Sequence, residues 1–178
     1  MQNIICIKTL LSKSYEIDSS FVEHFGVFTS TETNADKTFQ LEEYTGSGKF
    51  ESKLTSDDVL DFISRYSHVI NRNHDESNKI TVDSPDFKKY LDENDIEVMR
   101  NLLKRICAIY EVKENTADFY AVAISELSCV LAYLQDYLDC KPVMHKLCVF
   151  ISCLICNISI GTLSALKHHK PTFDSITE

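Results

Sequence analysis

A chain of 178 residues with 44% hydrophobic and 25% charged residues supports one packed core and is too short for two comfortable domains. Four glycines and three prolines are too few to punctuate a sandwich of many short strands, so helices should dominate. A formal net charge of -9 opposes binding to a polyanion, because affinity for nucleic acid comes largely from lysine and arginine displacing counterions at phosphates; no nucleic-acid partner is expected.

Residues 4–17 hold two short β-prone runs separated by Ser12 to Ser14, which predicts a small hairpin. The apolar stretch Phe21 to Phe28 follows and is expected to open with a helical turn. Residues 29–38 are polar and read as loop, and Thr38 to Leu41 predicts a further strand ahead of the Gly46-Ser47-Gly48 turn. At Thr55-Ser56-Asp57-Asp58 a hydroxyl can cap the free amides of a helix start, and the two carboxylates suit its positive end. Val59, Leu60, Ile63 and Tyr66 then repeat at helical spacing.

Residues 71–79 contain nothing that is cheaply buried and read as a solvated segment. Ser84-Pro85-Asp86 predicts a short helix ending near Leu91, since the missing proline donor would be unpaired at a helix start anyway. A stronger helix begins at Asn94 or Asp95, with Met99, Leu102, Leu103, Ile106 and Tyr110 on one stripe. Its charges agree with its dipole: Glu97 lies near the start and Lys104 and Arg105 further along.

After the polar break Lys113 to Asp118, Phe119 to Ile124 is expected to be extended. Ser125 and Glu126 then start a helix carrying Leu127, Val130, Leu131, Leu134 and Leu138, which Pro142 terminates. The same proline opens a further helix through Val143, Leu147, Ile151, Leu154 and Ile155. A short last helix is expected from Ser159 to Leu166, followed by a disordered tail over residues 171–178.

Six of the seven cysteines lie at or after Cys107 among leucines and isoleucines, where a thiol acts as a small core hydrophobe. Their odd number and irregular spacing, with no secretory pattern in Met1 to Ile7, predict reduced thiols in cytosol or nucleus. His145, Cys148, Cys153 and Cys156 have residue types and a Cys-x-x-Cys spacing that suit zinc. On one continuous helix, however, they spread over roughly 16 Å, too far for four ligands around one ion, so no metal is expected.

No phosphate-binding loop and no local arrangement of nucleophile, histidine and carboxylate occurs, and Glu42-Glu43, Asp57-Asp58 and Asp92-Glu93 fall at caps and loops. Neither catalytic residues nor a cofactor is expected. Leu147 to Leu166 carries no charge and is long enough to span a bilayer. Ser152, Asn157, Ser159, Gly161, Thr162 and Ser164 dilute it, which favours a buried or partner-facing helix pair over a membrane anchor.

The stretch Tyr137-Leu138-Asp139-Cys140-Lys141-Pro142-Val143-Met144-His145-Lys146-Leu147-Cys148 resembles the S-phase kinase-associated adaptor family, whose fold is BTB/POZ. In that family a Tyr-Leu-Asp-x-Lys step joins two helices, and a cysteine follows at this spacing. The resemblance continues in pattern through Phe119 to Val122, Ile151 to Leu163, Ile4 to Ile17 and Ser56 to His68.

This resemblance implies a predominantly helical α+β domain over residues 1–170, BTB/POZ-like, with a small amino-terminal β-sheet packed against a helical cluster and an inserted segment at about 71–118. It implies a non-catalytic, cytoplasmic or nuclear adaptor that links a cullin to an F-box-type substrate receptor in a ubiquitin ligase. By position, Asp136, Tyr137 and Leu138 would lie toward the cullin, and Ile151, Leu154, Ile155 and Leu163 toward the F-box. Two departures stand out: the region from His68 to Phe119 is much longer than the family's acidic loop, and the chain ends soon after Lys170, where the family continues into a helix that completes F-box capture. The competing expectation is a tail-anchored helical-bundle regulator of the viral Bcl type with 147–166 as its anchor; a BTB module that oligomerises without a cullin is a third.

Overall fold

Alternation with period two along Ile4–Lys8 places Ile5 and Ile7 on one face of a strand, β1, whose other face carries Cys6 and Lys8. The computed structural model of the chain describes residues 4–28, 38–46, 51–70 and 90–156. Strand β2 (Tyr15–Asp18) runs antiparallel to β1, with Ile17 opposite Ile5 and Tyr15 opposite Ile7. Strand β3 (Thr38–Gln40) pairs with the other edge of β1 in parallel, with Phe39 beside Ile7. The expected hairpin and the expected strand near 38–41 are therefore both present, in a sheet of order β2-β1-β3.

Asp18 caps the short helix α1 (Ser19–Val22) by accepting from the Ser20 amide at 3.0 Å. Phe21, Phe25, Phe28 and Phe39 then form a chain of rings with successive centroids 5.0, 4.9 and 4.1 Å apart, which fills the space beneath the sheet. Helix α2 (Ser56–Ile70) starts on a reciprocal cap: the Thr55 hydroxyl accepts from the Asp58 amide, and the Asp58 carboxylate accepts from the Thr55 amide. Its predicted stripe of Val59, Leu60, Ile63 and Tyr66 is fully buried against the sheet and the next helix.

Helix α3 (Glu93–Tyr110) begins one or two residues before the expected start at Asn94 or Asp95, because Asp92 is its cap and forms a capping box with Asp95 in the first turn. Val98, Met99, Leu102, Leu103 and Ile106 are buried between α2 and the last two helices. At roughly 1.5–3 kcal/mol for each large side chain, that stripe makes α3 an integral layer of the core.

Helix α4 (Ala117–Tyr133) corrects the expectation that Phe119 to Ile124 is extended and that Ser125 and Glu126 start the helix. Thr116 is the cap, accepting from the Phe119 amide at 3.2 Å. Phe119, Tyr120, Ala123, Leu127 and Val130 lie buried at helical spacing, so the packed stripe overrides the β preference of the aromatic and branched residues. The helix continues as one π turn, Leu134–Leu138, and after Asp139 and Cys140 helix α5 (Lys141–Cys156) runs back along it. Pro142 sits in the first turn of α5, where no donor is required.

The protein is thus α+β and predominantly helical, with a small amino-terminal sheet on a helical cluster. The expected short helix after Ser84, the loop at 71–79, the helix from Ser159 to Leu166 and the tail at 171–178 lie outside the described residues. Among the described residues, Ala117–Leu138 is long and apolar enough to cross a membrane by length and composition alone, and its stripe is core of this fold.

Candidate partner-binding surfaces

The step between α4 and α5 is built by local backbone demands. In the π turn the Cys140 amide donates to the Leu134 carbonyl at 3.1 Å, and Asp139 takes a left-handed conformation with φ 46°. The Gly26 amide donates to the Asp139 carbonyl at 3.3 Å, bringing the chain after α1 against the step. A Cβ at position 26 would meet the Asp139 Cβ at 2.8 Å, so this approach requires glycine.

Two tyrosines fix the same step to the strand side of the molecule. Tyr137 Oη accepts from the Glu42 amide at 2.7 Å, and Tyr133 Oη donates to the Glu42 carbonyl at 3.0 Å. Their rings pack with centroids 5.2 Å apart. Burial raises the Tyr137 phenol above its ordinary range despite the opposing hydrogen bond from Glu42, so Tyr137 is a neutral tether at neutral pH.

Of the three residues expected to face a cullin, Asp136 is exposed, Tyr137 is half-buried, and Leu138 is fully buried. Leu138 belongs to the core and offers no contact. Of the four expected toward an F-box, Ile151 is buried, Leu154 is half-buried, Ile155 is 45% exposed, and Leu163 lies outside the described residues. The outward stripe of α5 carries Lys141, His145, Cys148 and Ile155, with Cys156 exposed at its end.

Cys140 is buried within the step, and desolvation pushes its thiol up to about 12, which leaves it an inert hydrophobe. Cys148 and Cys156 are exposed, so the expected apolar packing of the thiols holds for Cys129 and Cys140 and not for these two. Among the described residues, no three histidine, cysteine or carboxylate side chains gather as a metal site.

Two carboxylates that sequence reasoning placed only at helix starts are buried and saturated with donors. Asp95 accepts from Tyr66 Oη at 2.6 Å, Lys146 Nζ at 2.7 Å and the Asp92 amide at 2.9 Å, which joins α2, α3 and α5. Glu126, inside α4, accepts from the Ser52 and Tyr110 hydroxyls and from the Lys53 amide at 2.9 Å, which ties the 51–55 segment to the helices. The signal for both was a carboxylate on the apolar face of a helical stripe, where burial demands partners. Donors from the protein itself occupy these groups, so they hold structure and do not present a free base.

Comparison with protein-family models, with characterised proteins and with solved structures gives no match. The chain therefore rests on its own geometry.

The uncharged segment Leu147 to Leu166 is divided by that geometry. Its first half is α5, where Leu147, Val149, Phe150 and Ile151 are buried in the core, and its second half lies outside the described residues. Drawing the whole segment into lipid would remove these four side chains from the core, at roughly 1.5–3 kcal/mol each.

A groove of about 680 Å³ lies where α3, α4 and the end of α5 meet. Leu91, Ile96, Leu103, Phe119, Phe150 and Leu154 supply its apolar lining, and Arg100, Lys104 and Glu114 its charged rim.

Proposed function

We propose that this chain is a non-catalytic adaptor of BTB/POZ type that links a cullin to an F-box-type substrate receptor in a ubiquitin ligase, acting in cytoplasm or nucleus. The observation that carries the reading is the α4–α5 step. There Tyr137-Leu138-Asp139-Cys140-Lys141, the run that resembles the adaptor family, forms a rigid corner pinned to Glu42 and to Gly26. A corner held from two sides displays Asp136 and the half-buried Tyr137 in fixed positions, as a recognition surface without its own chemistry requires.

A hairpin with a third, parallel strand beside a helical cluster supports the BTB/POZ reading, as do the donor-saturated carboxylates Asp95 and Glu126 the absence of catalysis. In this reading the cullin contact centres on Asp136 and Tyr137, and the F-box contact on Leu154 and Ile155 with Leu163 beyond them. Core positions Leu138 and Ile151 act by holding those neighbours in place.

Two surface variants separate the faces. Asp136→Arg should weaken binding to a purified cullin ~10-fold or more, equivalent to about 1.4 kcal/mol, while leaving the melting temperature and F-box binding unchanged. Ile155→Asp should do the reverse. A chain that binds neither protein before mutation overturns the proposal.

A further inference from the structure

The groove between α3, α4 and the end of α5 is an apolar slot left open among the described residues. Leu103, Phe119 and Phe150 line it as buried side chains, and Ile96 and Leu154 as half-buried ones. Its volume of about 680 Å³ is that of pockets that enclose a drug-sized ligand, ~300–1,000 Å³. A cover that excludes water from such apolar surface stabilises the fold.

The last helix is itself part of the slot. Cys153 and Leu154 line it, and α5 ends at Cys156, only roughly 3–5 Å further along the axis at 1.5 Å per residue. The chain therefore leaves α5 at the edge of the groove. Residues 157–166 come next and carry no charged side chain, and charge returns only at Lys167. Burying that stretch takes no ionised group out of water. Ile158 and Ile160 stand two and four positions past the end of α5, nearest the slot along the chain. A segment tethered so close to its seat has an effective concentration on the order of millimolar, which places it ahead of a second copy at ordinary concentration.

We propose that residues 157–166 turn back over the α3/α4/α5 groove of their own chain and seat Ile158 and Ile160 against Phe119 and Phe150. The contact is intramolecular, so it is independent of concentration. It also draws the second half of the uncharged stretch 147–166 onto the fold, which leaves no free length to cross a bilayer. The inference stands on the groove and the chain that adjoins it, and rests on no cullin or F-box contact.

Methyl-labelled nuclear magnetic resonance of the full chain with reductant tests it. The expected result is a set of nuclear Overhauser contacts from the Ile158 and Ile160 methyls to the Phe119 and Phe150 rings, unchanged on dilution as a tethered contact must be. Cys153, inside the groove, gives a second reading, with the exposed Cys148 as internal reference. Its alkylation by iodoacetamide should be about tenfold faster in Ile158→Asp/Ile160→Asp than in the native chain, as for a cover closed roughly nine-tenths of the time. Should that variant lose its helical dichroism, the methyl contacts of the native chain decide the matter alone. Absence of those contacts overturns the proposal. So do contacts found only between differently labelled copies, which would make the cover a second molecule, or equal alkylation of Cys153 in the native chain and a folded variant.

Discussion

Replacing Lys146 with methionine should cost more stability than replacing its partner Asp95 with asparagine, although the two changes break the same ion pair. Asp95 is nearly inaccessible and Lys146 keeps 33% of its side chain exposed, so the two charges have unequal access to water. Lys146→Met preserves the apolar stem but strands a buried carboxylate with only the Tyr66 hydroxyl and the Asp92 amide to hold it, a loss of about 3–5 kcal/mol. Asp95→Asn leaves an ammonium that can turn outward to solvent while still reaching the Tyr90 carbonyl, so about 1–3 kcal/mol is expected. The double variant should cost less than the sum by about 1–3 kcal/mol, because the stranded charge is then gone. Urea denaturation followed by circular dichroism at pH 7, with unchanged m-values, reads all three numbers. Costs that add to within about 0.5 kcal/mol, or a Lys146→Met variant as stable as the native chain, would refute the claim that this pair clamps α2, α3 and α5 together.

Burial, the leading cause in each case, raises the phenols of Tyr44, Tyr66 and Tyr133 above the ordinary ~10. The folded protein thus keeps protons that the unfolded chain releases, so stability is intact below pH ~10 and falls above it by about 1.4 kcal/mol per pH unit for each. Tyrosinate absorbance, with no tryptophan in the chain to obscure it, should rise together with loss of helical dichroism. Phenols that ionise near pH 10 while the helices persist would contradict this. Gly26→Ala should destabilise by about 1–3 kcal/mol through the clash with Asp139, and adding Asp139→Gly, which also relieves a left-handed residue, should restore most of it in a urea titration. Tyr137→Phe, which loses the acceptor for the Glu42 amide, should cost about 1 kcal/mol in the same titration; no loss would mean that the tether does not hold.

Much of the architecture was legible because local and tertiary demands agree along most of the chain. The hairpin, the strand at Thr38, the Thr55 cap and the stripes of α2 and α3 all follow from period and capping chemistry. The start of α4 was misread because aromatic and branched residues between Phe119 and Ile124 favour strands in isolation, while eight buried side chains along the helix outweigh that preference. The parallel pairing of β3 with β1 was not legible, since period two reveals a strand but not its partner.

The candidate site was legible by position and not by exposure. Apolar residues read as a partner face, and Ile151 and Leu138 turned out to be core, because a stripe on a helix does not say whether its cover is the same chain or another. The structural roles of Asp95 and Glu126 were hidden for a related reason: their donors come from segments far away along the chain.

Light scattering on a mixture of this chain with a purified cullin and an F-box protein bears most directly on the adaptor reading. The account predicts one species whose mass equals the sum of all three, formed only when the chain is present and lost in a double Asp136→Arg/Ile155→Asp variant. Separate elution of cullin and F-box protein, unaltered by adding the native chain, would contradict it.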